Sequence, residues 1–341
     1  MASIDEDSVV TLDNVTRTFK VAERTVGFGD TVRGFFHRKY TQIPAISNVA
    51  FTACSGEILG VLGPNGSGKT TTLKCISGLL TPTSGKVDVM GFTPHERDPE
   101  FLRRIGFIMG QRSQLHPDVS VFDSLQLRKV IYSLSDDDYQ ASLNELTELL
   151  GLAEFGDAPV RQLSLGQRMR CEFAAALLHR PSLVLLDEPT IGLDFDAQAS
   201  IRRFVEGYVR AHHATVLLTS HYLADIEALA GRVIVMAKGH IAFTGSLAEL
   251  RHMDGGHQLI TIQYTEVRPD FSQFSWEDKV TEPKPGEIHL EVLRDEAPHI
   301  LAQVGALSGV SALSLSDPPL ETALSQIYAT VSSEADAEQI P

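Results

Sequence analysis

The chain has 341 residues, a hydrophobic fraction of 43% and a formal net charge of -15. This length is typical of two globular domains, and the hydrophobic fraction is sufficient for a buried core. The acidic balance argues against nucleic acid as a partner, because non-specific nucleic-acid binding depends on surplus Lys and Arg. The acidic N-terminus lacks the order of a signal peptide, and no apolar run approaches the roughly 18 residues of a spanning helix. We therefore expect a protein that serves a membrane, if at all, from its surface.

The three cysteines, Cys54, Cys75 and Cys171, lie in apolar or helical contexts without the spacing of metal ligands. A sparse and odd number of cysteines suits a reducing cytosol. We interpret all three as packing residues.

Predicted strands and helices alternate along residues 8–240. Residues 8–20 alternate apolar and polar side chains, as a strand does. Later strands are predicted by apolar composition at 49–54, 57–62, 105–109, 183–186, 215–219 and 232–237. Helices are predicted at 69–80, 142–152, 165–179, 197–212 and 223–230. This alternation predicts an α/β domain over residues 1–242, with a parallel sheet and a helical block inserted at about 112–180.

The composition changes near residue 243, after which strand-like ITIQYT and EIHLEVL precede helical patterns at 297–307 and 319–330. We expect a small α+β domain over residues 243–330. The polar, acidic residues 331–341 are predicted to be a disordered tail.

Residues 21–43 form an irregular segment with a cluster of basic and aromatic residues, Phe35, Phe36, His37, Arg38, Lys39 and Tyr40. This composition is compatible with a membrane-surface segment. It is equally typical of a loop that packs on its own domain or on a partner, and we favour that interpretation.

A glycine-rich loop between a predicted strand and a predicted helix matches the pattern G-x-x-x-x-G-K-[ST], with the residues Gly63, Pro64, Asn65, Gly66, Ser67, Gly68, Lys69 and Thr70. Its glycines allow backbone N–H groups to converge on phosphate oxygens at a helix N-terminus. Lys69 is expected to reach the β- and γ-phosphates, and the Thr70 hydroxyl to bind Mg²⁺. Thr71 completes the predicted nucleotide-binding set. The alternative, a chance glycine turn before a lysine, does not explain the flanking strand and helix.

The apolar strand at 183–186 ends in two carboxylates, Asp187 and Glu188. Asp187 is expected to reach Mg²⁺ directly or through water, and Glu188 to orient and polarise an attacking water. An isolated acidic pair is often only a solvated strand end. The phosphate loop in the same chain favours the functional interpretation.

Residues 163–167, LSLGQ, resemble the LSGGQ signature of the ABC ATPases, with Leu165 where glycine is usual. The family's other motifs follow in order: Gln111 in MGQRSQL matches the Q-loop, residues 191–194 (IGLD) match the D-loop, and His221 in LLTSHYL matches the switch histidine. The resemblance covers residues 8–240. It implies a P-loop ABC ATPase core that binds ATP and Mg²⁺.

The resemblance also implies roles for the signature and D-loop. Ser164, Gly166, Gln167 and Asp194 would bind ATP held by a second ATPase subunit, so that an ATP-sandwich dimer, expected to be a homodimer, completes each site. The hydroxyl, the backbone N–H and the helix N-terminus near Ser164 suit an anion.

Three further residues have roles implied by the resemblance. Gln111 would bind Mg²⁺ and link the nucleotide site to the helical block, and His221 would sense the γ-phosphate. Phe19 stands where the family has an aromatic residue that stacks on adenine. A core phenylalanine is the alternative for Phe19, and Tyr40 is the rival candidate for stacking.

The Q-loop, the signature and the small C-terminal domain resemble one bacterial subgroup, whose ATPases pair with six-helix permeases of the type-2 exporter class. This resemblance implies integral-membrane permease partners and a peripheral position on the cytoplasmic face of the bacterial inner membrane. The alternative is a soluble ABC ATPase that acts on ribosomes or DNA. Such proteins usually have tandem cores or long coiled coils, which this sequence lacks. A non-catalytic binding module is disfavoured because Lys69, Glu188 and His221 are all present.

Overall fold

A computed structural model of the protein describes residues 7–22, 40–110, 112–220, 222–253, 256–265 and 267–337. The basic and aromatic cluster from Phe35 to Lys39 lies outside the described residues. Contacts within the chain divide it into two compact units between Thr244 and Gly245, close to the predicted boundary at 242.

The strands of the first unit, the last of which ends just past this boundary, are β1 (Ser8–Ala22), β2 (Tyr40–Cys54), β3 (Ile58–Leu62), β4 (Ser84–Val89), β5 (Ile105–Met109), β6 (Leu183–Asp187), β7 (Thr215–Thr219), β8 (Arg232–Ala237) and β9 (His240–Ser246). Its helices are α1 (Lys69–Ile76), α2 (Pro99–Arg104), α3 (Val121–Tyr132), α4 (Asp136–Leu150), α5 (Leu165–Leu177), α6 (Phe195–His212) and α7 (Leu223–Leu229). The second unit contains α8 (Leu247–Arg251), β10 (His257–Tyr264), β11 (Val280–Lys284), β12 (Glu287–Leu293), α9 (Ala297–Gly305), β13 (Val310–Ser316) and α10 (Leu320–Ala337).

The central sheet of the first unit has the strand order β5-β6-β7-β3-β8-β9. Strand β3 pairs in parallel with β7 and β8, and β6 pairs in parallel with β5 and β7. All five residues of β6, LVLLD, are buried, as a strand covered on both faces requires. Because these strands are parallel, their carboxyl ends at Leu62, Asp187 and Thr219 meet at one edge of the sheet.

A second, antiparallel sheet has the order β2-β1-β4. Strand β2 begins at Tyr40, well before the predicted start at residue 49. Strand β4 was not predicted, because its Ser-Gly start is typical of a turn. Its pairing with β1, rather than its propensity, makes it a strand.

Helices α3, α4 and α5 lie between β5 and β6 in the chain, within the region where an inserted helical block was expected. Each begins after a serine, Ser120, Ser135 or Ser164, whose hydroxyl accepts a hydrogen bond from a backbone N–H of the first turn. Caps of this kind stabilise a helix by about 1 kcal/mol each. Local sequence therefore positions the start of all three helices.

The second unit is a four-stranded antiparallel sheet, β11-β12-β10-β13, with helices. Alternate residues of β12, Ile288, Leu290 and Val292, are buried in one core with Ile300 and Val304 of α9. The period-2 pattern of EIHLEVL thus selects the face of the sheet that α9 covers.

The last helix, α10, begins at Leu320 and continues to Ala337, and disorder of the tail 331–341 stays a prediction. Buried residues Leu320, Leu324 and Ile327 recur at helical spacing and anchor its first turns. Once its first turns are anchored, a helix gains one backbone hydrogen bond for each residue added. It can therefore extend into a segment of polar composition. No helix within the described ranges is long and apolar enough to cross a membrane.

Cys75 and Cys171 are buried, and burial raises the pKa of their thiols to about 11 and about 12 respectively. Both thiols are therefore protonated at neutral pH and unreactive. Cys54 is partly buried. These environments agree with packing roles.

Candidate active site

The loop between β3 and α1 has a backbone conformation that leaves no room for a side chain at two of its glycine positions. Gly63 and Gly68 have positive φ values of 153° and 106°. A Cβ atom on Gly63 would lie 2.4 Å from the carbonyl oxygen of Met236, and one on Gly68 would lie 2.5 Å from Ile46 Cγ2. The loop therefore needs glycine at both positions, and it leads into the N-terminus of α1, where the helix dipole favours an anion.

Lys69 is buried in this loop, with 4% of its surface exposed. Its ammonium group donates hydrogen bonds to the carbonyl oxygens of Gly63, at 2.7 Å, and Pro64, at 3.1 Å. Burial lowers the pKa of Lys69, and the nearby carboxylates of Glu188 and Asp187 partly oppose that effect. An ammonium group held by neutral carbonyl groups can exchange them for phosphate oxygens.

The other polar side chains of the loop are arranged around the same point. Ser67 Oγ is buried, and the part of the chain that the structure describes contains no hydrogen-bond partner for it. Asn65 lines the adjacent cleft, and Thr71 lies in the first turn of α1. A buried hydroxyl without a protein partner fits a loop that closes around an anion.

Asp187, at the end of β6, joins the phosphate loop to the neighbouring strand. Its Oδ1 accepts hydrogen bonds from Thr70 Oγ1, at 3.0 Å, and from Thr219 Oγ1, at 2.8 Å. Hydroxyl and carboxylate oxygens are the hard ligands that Mg²⁺ prefers. The residues present therefore fit a bound magnesium ion.

Glu188 follows directly and has a left-handed backbone conformation, with φ of 54°. Its N–H donates to the carbonyl oxygen of Thr219 at 3.0 Å. On the other side, a Cβ on Gly110 would lie 2.1 Å from the Glu188 carbonyl oxygen. A strained acidic residue held by close packing is typical of active sites.

A cleft of about 620 Å³ lies at this edge of the sheet, lined by Asn65, Thr70, Lys74, Met109, Gly110, Arg112, Asp187, Glu188 and Ile191. Its volume is within the range of small-molecule sites. Two basic and two acidic side chains face it, which suits a polyphosphate together with a divalent cation.

Ser164 and Gln167 form a reciprocal cap at the start of α5. Ser164 Oγ accepts from the Gln167 N–H at 3.2 Å, and Gln167 Oε1 accepts from the Ser164 N–H at 3.0 Å. This capping box uses the Gln167 side chain to hold Ser164 in place. The Ser164 hydroxyl proton stays available to donate to a ligand.

The predicted signature, residues 163–167, lies close to the predicted D-loop, residues 191–194, of the same chain. Leu165 Cδ2 lies 3.2 Å from the position of a Cβ on Gly192, and a Cβ on Gly166 would lie 3.3 Å from Ala197 Cβ. Asp194 caps α6 by accepting from the Ala197 N–H at 2.8 Å. Its carboxylate is therefore committed to a helix N-terminus in this conformation.

Residues 46–191 match the model of a protein family described as ABC transporter. The ABC transporter ATP-binding protein NatA of Bacillus subtilis is 31% identical over 224 residues, which cover 66% of this chain and 91% of NatA. This chain belongs to the family of ABC transporter ATP-binding proteins. Nod factor export ATP-binding protein I of Cupriavidus metallidurans is 33% identical over 265 residues, which cover 78% of this chain and 86% of that protein.

A solved ATP-binding cassette, a dimer in a post-hydrolysis state bound to ADP and Pi, has 27% sequence identity to this ABC protein and a TM-score of 0.58. The likeness covers 70% of this chain and 98% of the cassette. The α/β fold with a P-loop ABC ATPase core, predicted from the motifs, is confirmed.

Phe19 of this ABC protein is half-buried on β1, opposite Ile43 of β2. The guanidinium carbon of Arg17 lies 4.9 Å from its ring centroid. Phe19 is therefore not a fully buried core residue. The rival candidate, Tyr40, is 56% exposed at the start of β2, and contact of either ring with adenine stays a prediction.

Gln111 and His221 lie outside the described residues. Their neighbours are close to the cleft, since Gly110 and Arg112 line it and Ser220 follows the strand end at Thr219.

Three cleft or strand-end residues were missed by sequence reasoning. Thr219 is a polar residue at the carboxyl end of a buried parallel strand, the same signal that identified Asp187. Lys74 lies four residues after Thr70, on the same face of α1. No pattern in the sequence distinguishes Arg112.

Proposed function

We propose that this protein is the ATP-hydrolysing subunit of a transporter, powering export through separate membrane permease subunits. The observation that carries the proposal is the hydrogen bond between Thr70 and Asp187, which joins the phosphate loop to the acidic strand end beside Glu188. A role in transport is supported by the names of the relatives, among them an ABC transporter ATP-binding protein and a Nod factor export ATP-binding protein.

In this proposal the phosphate loop binds the β- and γ-phosphates of ATP. The ammonium group of Lys69 exchanges its carbonyl partners for phosphate oxygens, and the buried Ser67 hydroxyl gains an acceptor. Thr70, Asp187 and Gln111 would hold Mg²⁺, which would supply positive charge to neutralise the phosphates. The adenine ring stacks on Phe19.

Glu188 acts as the base at the carboxyl end of β6. A water molecule attacks the γ-phosphorus as Glu188 takes a proton from it, and the bond to the β–γ bridging oxygen breaks to leave ADP. His221 holds the γ-phosphate in line for the attack. The left-handed backbone of Glu188, fixed by Thr219 and Gly110, keeps its carboxylate at the strand end.

We infer that a second copy completes each site. Ser164 and Gly166 would face the γ-phosphate bound to the other subunit, while Gln167 holds Ser164 and Asp194 lies at the same subunit boundary. The exposed start of α5 and the dimeric state of the related cassette support this arrangement. The C-terminal unit would regulate or stabilise the dimer.

The protein would act from the cytoplasmic face of the bacterial inner membrane, as a peripheral subunit bound to integral permeases. Its acidic net charge of -15 supports a partner other than nucleic acid. Purification from membranes tests this, because an apolar polytopic partner should accompany the protein. Recovery of the protein on ribosomes would contradict the transport proposal.

Replacement of Glu188 by Gln tests the chemistry. The amide keeps the shape of the side chain but cannot take a proton, so ATP hydrolysis should nearly stop while ATP binding is retained and a dimer accumulates. Glu206→Gln, an exposed change on α6, is the matched control and should keep the wild-type rate. Wild-type turnover by Glu188→Gln would reject Glu188 as the base.

A further inference from the structure

A buried carboxylate, Asp225, joins three segments that surround the active site. It lies in α7 and is 1% exposed. Its Oδ1 accepts from Arg202 Nη1 at 2.7 Å, and its Oδ2 accepts from Ser220 Oγ at 2.8 Å. The Thr190 hydroxyl donates to the same Oδ2. None of these four side chains takes part in the chemistry described above.

The three donors come from segments with different tasks. Thr190 is two residues after Glu188, and Ser220 immediately precedes position 221. Arg202 lies on α6, the helix that begins directly after the D-loop. One carboxylate therefore holds the segment of the proposed base, the segment of the switch position and the D-loop helix together.

The bonds around position 221 extend the network. Ser220 Oγ accepts from the backbone N–H of Tyr222 at 3.0 Å while it donates to Asp225. The residues on both sides of position 221 are thus tied to one buried point. A shift of this point would move both flanks together.

Stability alone does not explain a charge at this position. The Arg202 side chain is only 14% exposed, so both ions of the pair lose most of their hydration. A buried ion pair is often no more stabilising than apolar residues of similar volume. Its directional hydrogen bonds, however, define the relative positions of the segments, which an apolar cluster would not do.

We propose that Asp225 is a positioning residue for ATP hydrolysis, which holds the segment of Glu188 and the residues that flank position 221 in place and connects both to α6. The inference rests on the proposed ATPase function. It implies that a displacement of α6 at a subunit boundary reaches the base through the pair Arg202–Asp225.

The first test compares purified full-length Asp225→Asn with wild type for ATP dissociation constant, kcat and folded fraction by circular dichroism. The phosphate loop makes no contact with Asp225 among the described hydrogen bonds, so the dissociation constant should stay within about twofold. Misplacement of the base should lower kcat per folded molecule by about ten- to hundredfold. Glu206→Gln, which removes an exposed carboxylate from α6, should leave both constants unchanged.

A double-mutant cycle tests whether the charged pair acts as a unit. Arg202→Gln should lower kcat, and the double variant should be no slower than Asp225→Asn alone, because the second change removes nothing further. Arg203→Gln, at the exposed neighbouring position, is the control. Losses that multiply in the double variant would overturn the inference.

Milder variants apply if Asp225→Asn does not fold. Thr190→Val and Ser220→Ala each remove one hydrogen bond, and each should lower kcat severalfold without a change in ATP affinity. A wild-type protein without ATPase activity would reject the proposed function itself. An active wild type with wild-type kcat in Asp225→Asn, or in both hydroxyl variants, would reject the positioning role alone.

Discussion

His179, just after α5, should make the ATPase unit sensitive to mild acid. Its ring stacks on Tyr132 with centroids 3.7 Å apart, and Nε2 donates to the Ile105 carbonyl oxygen at 2.9 Å. Nδ1 is buried, and the described residues include no partner for it. A protonated imidazole carries a proton on both nitrogens, so the charged form would leave a buried donor unpaired. Burial accordingly lowers the pKa of His179 from 6.5 to about 4.

The direction of the pH effect follows from proton binding. Between pH 6.5 and about 4 the unfolded chain binds a proton at this histidine and the folded chain does not. The neutral, buried His179 therefore stabilises the folded chain fully above the unfolded pKa of 6.5. This stabilisation is lost progressively as pH falls towards the folded pKa of about 4. The difference between the unfolded and folded pKa values of His179 corresponds to about 3 kcal/mol in the free energy of unfolding. About 2 kcal/mol of this should be lost between pH 7 and pH 5.

Urea unfolding at pH 7 and pH 5, followed by far-UV circular dichroism, measures this loss. The single tryptophan, Trp276, lies in the second unit and would not report on His179. His179→Gln keeps an N–H donor but does not titrate. Between pH 7 and pH 5 its free energy of unfolding should therefore fall by about 2 kcal/mol less than the free energy of unfolding of the wild type. His240→Gln, at an exposed position, controls for loss of a histidine as such. Equal losses in His179→Gln and wild type would refute the reasoning.

Two further predictions concern close approach and base stacking. Gly110→Ala should lower kcat by about tenfold or more, because its Cβ would lie 2.1 Å from the Glu188 carbonyl oxygen and must displace that residue. Gly207→Ala on α6 is the control, because a Cβ there meets nothing within 4 Å. This variant should retain the wild-type rate and gain up to about 1 kcal/mol of stability. Equal kcat values in Gly110→Ala and Gly207→Ala would contradict the argument. Phe19→Ala should cost about 1–3 kcal/mol of ATP binding by calorimetry, whereas Tyr40→Ala should cost little. The reverse result would transfer the stacking role to Tyr40.

Strands of this protein with an unbroken apolar sequence were readable from sequence, and strands of mixed composition were not. The predicted strands at 105–109, 215–219 and 232–237 coincide with β5, β7 and β8. Each is an apolar run whose burial needs no knowledge of its neighbours. Strands β4, β9, β11 and β13 were missed, since their composition is mixed and their structure depends on pairing with other strands.

The sequence by itself determined the phosphate loop and the acidic strand end, because glycine conformation, strand ends and helix starts are local properties. The tertiary structure alone decided which polar residues support them. Asp225 stands in SHYLADIEALA, where a carboxylate is usually part of a solvated helix face. Packing brings the guanidinium of Arg202, 23 residues earlier in the chain, to 2.7 Å from it. No spacing rule connects two such residues, because their contact depends on how two helices pack at the end of a sheet.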